Sequence, residues 1–387
     1  MIERKLHYEL LKSLYDGKKI PALVYVKTRR DLAYAFNRFK VVKEFPIINA
    51  VGVELGFTDA VSLSMLDQVD YITSESRVST LEVGQIETLS LDRALVKARI
   101  QKISANKRKS DRLGRVEISK VEGQSLTVAS GLDGNGVGLC VLDTGVNPHV
   151  DLWLPTCRVA RFVDLVNGNE DPYDDNGHGT FVSGVALGSG VMSAKKIMGV
   201  APKAELISVK AISENGSAGA FKILEGMQWI LDNKDEYNIK VVCMSFGADP
   251  VEKDPLILGA ETLVKNGICV VVASGNSGSG SLKSPAVSPY VLSVGSVDDK
   301  FEIADFTSRG RIKGMQKPDV YAKGVKVTGL GESGYVKMSG TSVSAPYVAG
   351  ACCLLKQKYP EISPLDIKKT ILNEAEVYGG VRVIDFV

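Results

Sequence analysis

The chain has 387 residues, 44% of them hydrophobic, with 47 Lys and Arg set against 45 Asp and Glu, so its formal net charge is only +2 at pH 7. That near balance offers no basic footprint for nucleic acid and no charged face for a membrane surface. No apolar run approaches the ~20 residues that cross a bilayer, and the length predicts one large domain with a smaller companion.

In chain order, Ile2 to Tyr15 reads as a charged helix with His7 on a solvated face. Ile20 to Val26 reads as a strand, Arg29 to Phe39 as an amphipathic helix, and Val42 to Ile48 and Ala50 to Leu55 as two more strands. Thr58 to Val69 reads as a second helix opened by a Thr-Asp cap, and Asp70-Tyr71-Ile72 begins a last strand. The order βαββαβ is a ferredoxin-like α+β layout, the alternative being an unrelated small α+β unit. Ser74 to Leu81 reads as an extended tail. The stretch 82–125, with Lys97, Arg99, Lys102, Lys107, Arg108, Lys109, Arg112 and Arg115, reads as an exposed, partly helical linker open to proteolysis.

From about residue 126 the pattern alternates. Gly136 to Leu142, Ala204 to Val209, Lys240 to Met244, Gly267 to Ala273 and Tyr290 to Val294 are short apolar runs. Between or after them fall helices at Phe181–Leu187, Ala220–Asn233, Leu256–Asn266, Tyr347–Tyr359 and Pro364–Ala375. This predicts an α/β fold: a doubly wound parallel sheet with helices on both faces, whose strands are apolar throughout because both faces are covered. The six cysteines sit mostly in these apolar runs and read as small buried residues of a reducing compartment, not as a disulfide framework. The N-terminus carries charge and no apolar signal core, so a cytoplasmic or otherwise intracellular protein is expected.

Ser342 lies in the small-residue stretch Ser339-Gly340-Thr341-Ser342-Val343-Ser344-Ala345-Pro346 ahead of an apolar helix. Alone, such a stretch also reads as a helix N-cap. A serine becomes a nucleophile only with a base to take its proton and donors to hold an oxyanion. Of the three histidines, His149 sits in the turn Asn147-Pro148-His149, while His178, between Gly177 and Gly179, is uncrowded at a helix start and is the candidate base. Asp143 ends a buried strand, where open α/β sheets place their ligands; it reads either as a turn former or as the acid that orients His178.

With Val141-Leu142-Asp143-Thr144-Gly145, Asn176-Gly177-His178-Gly179-Thr180 and Gly340 to Pro346 in this order, the chain resembles the subtilisin-type serine endopeptidases, the subtilases, from about Gly131 to the C-terminus. The resemblance implies a catalytic Asp143, His178 and Ser342, with an oxyanion hole made by the Asn276 side chain and the Ser342 backbone N–H. It also implies a substrate-binding set. Ser245, Phe246 and Gly247 would form one pocket wall, and Ser217, Ala218 and Gly219 the facing edge, with Ala273, Ser274 and Gly275 beside Asn276. Substrates, proteins or peptides, would add as a β-strand with broad specificity and a large apolar residue before the cut bond.

Residues 1–81 resemble the family's propeptide, a folding chaperone and intramolecular inhibitor, with self-cleavage placed near Leu81 and the peptidase domain at 126–387. Asp151 resembles one ligand of the family's calcium site, but the loop Gly188 to Met198 carries Lys195 and Lys196, so that site is expected to be weak or absent; no cofactor is needed for the chemistry. Phe181 stands where many relatives have a second histidine, and Val343 and Tyr347 where methionine and histidine are frequent. Ser284-Pro285 corresponds to a cis bond in relatives. The alternatives are a catalytically silent or permanently propeptide-inhibited scaffold, and a peptide ligase using the same residues. Intracellular and spore-associated members of the family share this plan.

Overall fold

The computed structural model describes residues 18–28, 41–89 and 131–385, together with Leu6, Leu10, Ser13 and Leu14. The helix expected at Arg29–Phe39 and the basic stretch from Lys97 to Arg115 lie outside these residues.

Strands β1 (Ile20–Val26), β2 (Val41–Phe45), β3 (Ala50–Leu55) and β4 (Val69–Ser74) form an antiparallel sheet in the order β2-β3-β1-β4, with helix α1 (Phe57–Ser64) between β3 and β4. This is the split arrangement of a ferredoxin-like unit. Two elements end earlier than the sequence suggests. β2 stops at Phe45 because Pro46 has no N–H for a ladder, and a single 3-10 turn runs over Pro46–Ile48 instead. α1 stops at Ser64 instead of continuing to Val69, with Ser62 and Ser64 hydroxyls turned back onto the carbonyls of Thr58 and Val61.

After β4 the chain continues as β5 (Arg77–Thr80) and β6 (Val83–Leu89). Residues 83–89, read from sequence as the start of a linker, are therefore a strand.

The large sheet has nine strands. In chain order they are β7 (Gly138–Asp143), β8 (Val159–Asp164), β9 (Glu205–Lys210), β11 (Ile239–Met244), β13 (Cys269–Ala273), β14 (Leu292–Val297), β17 (Val320–Lys323), β20 (Glu376–Tyr378) and β21 (Val381–Val383). Short pieces intervene: β10 (Ser217–Gly219), β12 (Phe246–Gly247), the hairpin β15 (Gly310–Ile312) and β16 (Met315–Lys317), and the hairpin β18 (Val327–Leu330) and β19 (Tyr335–Ser339). The helices are α2 (Val150–Trp153), α3 (His178–Leu187), α4 (Ala220–Asn233), α5 (Pro255–Lys265), α6 (Thr341–Lys358) and α7 (Pro364–Glu374). The sheet order is β20-β21-β17-β14-β13-β11-β7-β9-β8, parallel except for the β20–β21 hairpin at one edge.

Alternate residues of each central strand enter two separate cores. Leu139, Val141, Leu206, Val241 and Val271 pack with Val182, Val348 and Ile367 from α3, α6 and α7. Cys140, Leu142, Ile207, Val242 and Val272 pack with Leu224 and Met227 of α4 and Leu256 and Ala260 of α5. Both faces are dry, which is why the strands are apolar without alternation. Edge strand β8, with exposed Ala160 and Arg161, lacks that signature and escaped the sequence reading.

The N-terminal sheet also has two buried faces, of different ownership. Val24, Val51, Val53 and Leu55 meet Leu6, Leu10, Leu14 and α1. The opposite face, with Leu23, Tyr25, Phe45 and Tyr71, joins the core of α4 and α5. Cys140, Cys243, Cys269, Cys352 and Cys353 are free and buried, and Cys157 is free and exposed. Among the described residues no helix is long and apolar enough to cross a membrane.

Candidate active site

β7 delivers Asp143 to the carboxyl edge near the middle of the sheet. Its Oδ1 accepts the Thr144 N–H and the His178 Nδ1–H, both at 2.7 Å, in full burial. A carboxylate oxygen only accepts, so Nδ1 donates and Nε2 is left for other work. His178 opens α3, and the turn before it is held by Asp174. Its Oδ1 accepts the N–H groups of Asn176 and Gly177, and its Oδ2 accepts the N–H and hydroxyl of Thr180. Burial disfavours an imidazolium at His178. The charge and hydrogen bond of Asp143, aided by Glu82 and Asp174, outweigh it and raise the group to about 9.

Lys210 was not picked out from the sequence. Fully buried at the end of β9, it donates to the carbonyls of Thr144 and Ile212 and pairs with Asp175 at 2.6 Å, tying the Asp143 and His178 loops together. Its only signal is a lysine closing an apolar strand.

α6 begins at Thr341, six residues before the helix start read from sequence, so Ser342 stands in its first turn. There backbone N–H groups have no partner within the helix. Pro346, one turn on, has no N–H for the Ser342 carbonyl, and the Ser245 hydroxyl takes that place at 2.9 Å. Asn276 is oriented by Thr341, whose N–H and hydroxyl both donate to its Oδ1 at 2.9 Å. A main-chain N–H can only donate, so the oxygen faces Thr341 and Nδ2 faces the cleft.

Helix α3 packs against α6. The buried Asp143 Oδ2, His178 Nε2, Asn276 Nδ2 and Ser342 Oγ have no hydrogen-bond partner in this conformation. The same holds for Arg158 Nε and the hydroxyls of Ser183, Ser208, Ser274 and Ser284, so what sets the four apart is their residue types, an acid, a base, a hydroxyl and an amide donor.

The chain's own tail fills the cleft. β5 lies between β10 and β12, antiparallel to both, pairing Ser79 with Ser217 and Gly247, Val78 with Ala218, Arg77 with Gly219, and Thr80 with Phe246. The Thr80 N–H donates to Gly216 at 2.9 Å and the Leu81 N–H to the Ser245 carbonyl at 3.4 Å. The Leu81 carbonyl then accepts the Ser342 N–H at 3.3 Å. Gly340, at φ 150°, permits this approach, since a Cβ there would collide with that carbonyl oxygen and would lie 3.1 Å from Asn276 Nδ2.

The Leu81 side chain is 7% exposed. It shares a core with Ala273, and a Cβ on Gly247 would stand 3.2 Å from its Cδ1. Ser274 and Gly275 contribute differently from the two pocket edges: Ser274 bonds main chain to Val294 and Lys283, and the Gly275 N–H donates to the Thr341 hydroxyl. Glu75, also unpredicted, accepts the Phe221 N–H at 2.9 Å at the start of α4. The Ser284–Pro285 bond is cis.

Asp151 lies elsewhere, fully buried in α2. Its Oδ1 accepts the Met192 N–H at 2.7 Å, and its Oδ2 accepts the Tyr335 hydroxyl. The Arg158 guanidinium donates to the carbonyls of Asp151 and Leu187. His149 accepts the Asp151 N–H through Nδ1, so this histidine closes a turn. Both carboxylate oxygens are engaged by donors, and a cationic side chain already sits on the neighbouring carbonyls, a donor set unsuited to a calcium ion.

A family model described as the subtilase family matches residues 134–385. The chain is 38% identical over 303 residues to the serine protease AprX of Bacillus subtilis, covering 67% of this chain and 66% of that protein, so it spans just under two thirds of that relative's length. It is 30% identical to an alkaline protease of Alkalihalobacillus alcalophilus, over 89% of this chain and 78% of the other. Among solved structures, an S41 psychrophilic protease superimposes with a TM-score of 0.59 at 29% identity, covering 66% of this chain and 89% of that one. A cold-adapted subtilisin-like serine proteinase has the same fold, with a TM-score of 0.58 at 24% identity over 74% of this chain and 98% of that one. With the family model spanning well over half of it, the chain belongs to the subtilase family of serine proteases.

Proposed function

We propose that this chain is a serine endopeptidase, made as a precursor that cuts itself between Leu81 and Glu82 and is then held by its own N-terminal unit. The observation that carries the reading is the Leu81 carbonyl at the Ser342 N–H, with residues 77–80 paired as a strand on both sides. In the proposed reaction His178 Nε2 takes the proton of Ser342, and Oγ attacks the Leu81 carbonyl carbon. The Ser342 N–H and Asn276 Nδ2 hold the oxyanion, and His178 passes its proton to the leaving amine of Glu82. Water then releases the acyl-enzyme by the same steps, while Asp143 keeps the imidazole oriented. Main-chain pairing is indifferent to side chains, which supports broad specificity. The apolar enclosure of Leu81 supports a large apolar residue before the cut bond.

A base held near 9 suits an alkaline working range, in keeping with the name of one relative, an alkaline protease. The engagement of Asp151 by Met192 and Tyr335, beside Arg158, supports a site that works without calcium. The buried free cysteines support a reducing, intracellular place of action. A second reading, an uncut chain acting as a binding partner, is favoured by one feature: a filled cleft beside a histidine whose protonated form is favoured by the Asp143 carboxylate.

Intact mass and N-terminal sequencing, followed by reaction with a fluorophosphonate, test the proposal. Labelling at Ser342 and a new N-terminus at Glu82 are expected. A chain that neither labels nor shortens at pH 9 would leave the second reading in possession.

A further inference from the structure

The residues after the Leu81–Glu82 bond are also paired as a strand, on one side. β6 adds antiparallel to β19, pairing Val83 with Ser339, then Glu87 with Lys337, Thr88 with Val336 and Leu89 with Tyr335. The register shift between the first two pairs is taken up on β6, where Gly84 has φ 85°. β19 ends at Ser339, and Gly340, Thr341 and Ser342 follow directly, so an occupant of this edge is positioned by the segment that carries the hydroxyl.

The edge is rigidly mounted. The other side of β19 is closed by β18. Its side chains Val336 and Met338 pack with Val327 on Phe181 and Val185 of α3 and Val343 of α6. Phe181 and Val343, two positions where the chain departs from its family's common pattern, are thus the supports of this hairpin. A preformed, fixed edge is what binding by strand addition requires.

We propose that the edge of β19 that β6 occupies here is a binding site for the leaving side of substrates, and that the enzyme takes extended polypeptides reaching at least eight residues past the cut bond. Chain segments of unfolded proteins meet that requirement, whereas short peptides and amides do not. The inference rests on Leu81–Glu82 being the bond that Ser342 cuts. Pairing at the second residue after the bond lapses over the next three and resumes at the sixth, seventh and eighth. Affinity therefore rises in a step and not smoothly with length.

The test uses the full-length protein after it has processed itself, with internally quenched peptides. Each peptide carries the sequence of residues 76–81 followed by two, five or eight residues of the native sequence from Glu82. Little change in kcat/KM is expected between two and five residues. A gain of about tenfold or more, seated in KM, is expected between five and eight, since each net main-chain hydrogen bond contributes about 0.5–1.5 kcal/mol. N–H groups in an antiparallel pair alternate between facing the partner and facing away. N-methylation at the Glu87 or the Thr88 position should therefore remove the gain at one of the two and spare it at the other. An enzyme carrying Thr88→Pro, whose own strand competes less for the edge, should show a larger gain. A flat response to length and to N-methylation, in protein that labels at Ser342, overturns the proposal and leaves the hydrolase standing. Protein that neither labels nor cuts any peptide overturns both.

Discussion

The two sheets of this molecule bury apolar faces by opposite arrangements. The nine-stranded sheet is covered on both sides by helices of its own domain. The four-stranded sheet covers one face with Leu6, Leu10, Leu14 and α1 but lays the other, with Tyr25, Phe45 and Tyr71, on α4 and α5. Polar contacts follow the same seam. Lys253 pairs with Asp70 at 2.6 Å, the Tyr25 hydroxyl donates to the Lys253 carbonyl, and the Ile47 N–H donates to Gln228. A unit with one borrowed face is stable while docked and has reason to loosen once the covalent link to the cleft is gone.

Breaking the catalytic side should have the largest effect. Ser342→Ala is expected to reduce turnover by at least about 10⁴-fold and to leave the 387-residue chain uncut, read by intact mass. Normal shortening of that variant in isolation would remove Ser342 from the chemistry. Asn276→Ala should lower kcat by about 10²–10³, the loss measured for such a donor in a subtilisin, with KM little changed. A silent variant would mean that Asn276 serves only to receive Thr341.

On the docked side, Phe45→Ala empties a site 1% exposed, beside the Phe221 ring at 5.3 Å. It should cost about 3–5 kcal/mol. Because that face is shared, the uncut variant should react with a fluorophosphonate faster than wild type. Leu63→Ala, on the unit's private face, should cost about 2–5 kcal/mol in a thermal melt without that gain in reactivity.

A smaller effect sharpens the junction between the two regions. Glu82 is one of the charges that raise His178 to about 9. Since the base must be neutral, self-cleavage should accelerate as pH rises through about 9, and Glu82→Gln should move the midpoint to lower pH in a time course of shortening. For stability the sign is opposite. A histidine raised from 6.5 stabilises the fold fully below 6.5, and that contribution fades as pH rises through about 9. The smallest effect expected is none: a chelator should leave the melting temperature unchanged, and a clear drop would return calcium to the region of Asp151.

Much of the site was legible because its requirements are local. A small residue ahead of Ser342, glycines flanking His178 and an acid closing an apolar strand are demands that one stretch of backbone makes by itself. Pro346 was equally visible, but the consequence of its missing N–H inside the helix was not, since the hydroxyl that takes its place comes from Ser245, 97 positions away. Helix starts were misjudged at Thr341 and His178 because small and polar residues in a first turn resemble a loop.

By itself the sequence determined the parallel α/β sheet, the four strands and the second helix of a ferredoxin-like unit, and the neighbourhoods of Asp143, His178 and Ser342. Each follows from apolar periodicity or from the steric needs of a short segment. Only the tertiary structure decided that residues 77–81 lie between two strands, that 83–89 extend the β19 edge, that Arg158 occupies the carbonyls beside Asp151, and that half of the N-terminal sheet belongs to its neighbour. Those outcomes come from pairings between segments far apart in the chain. Main-chain hydrogen bonds and shared apolar faces leave no periodic mark on either partner alone.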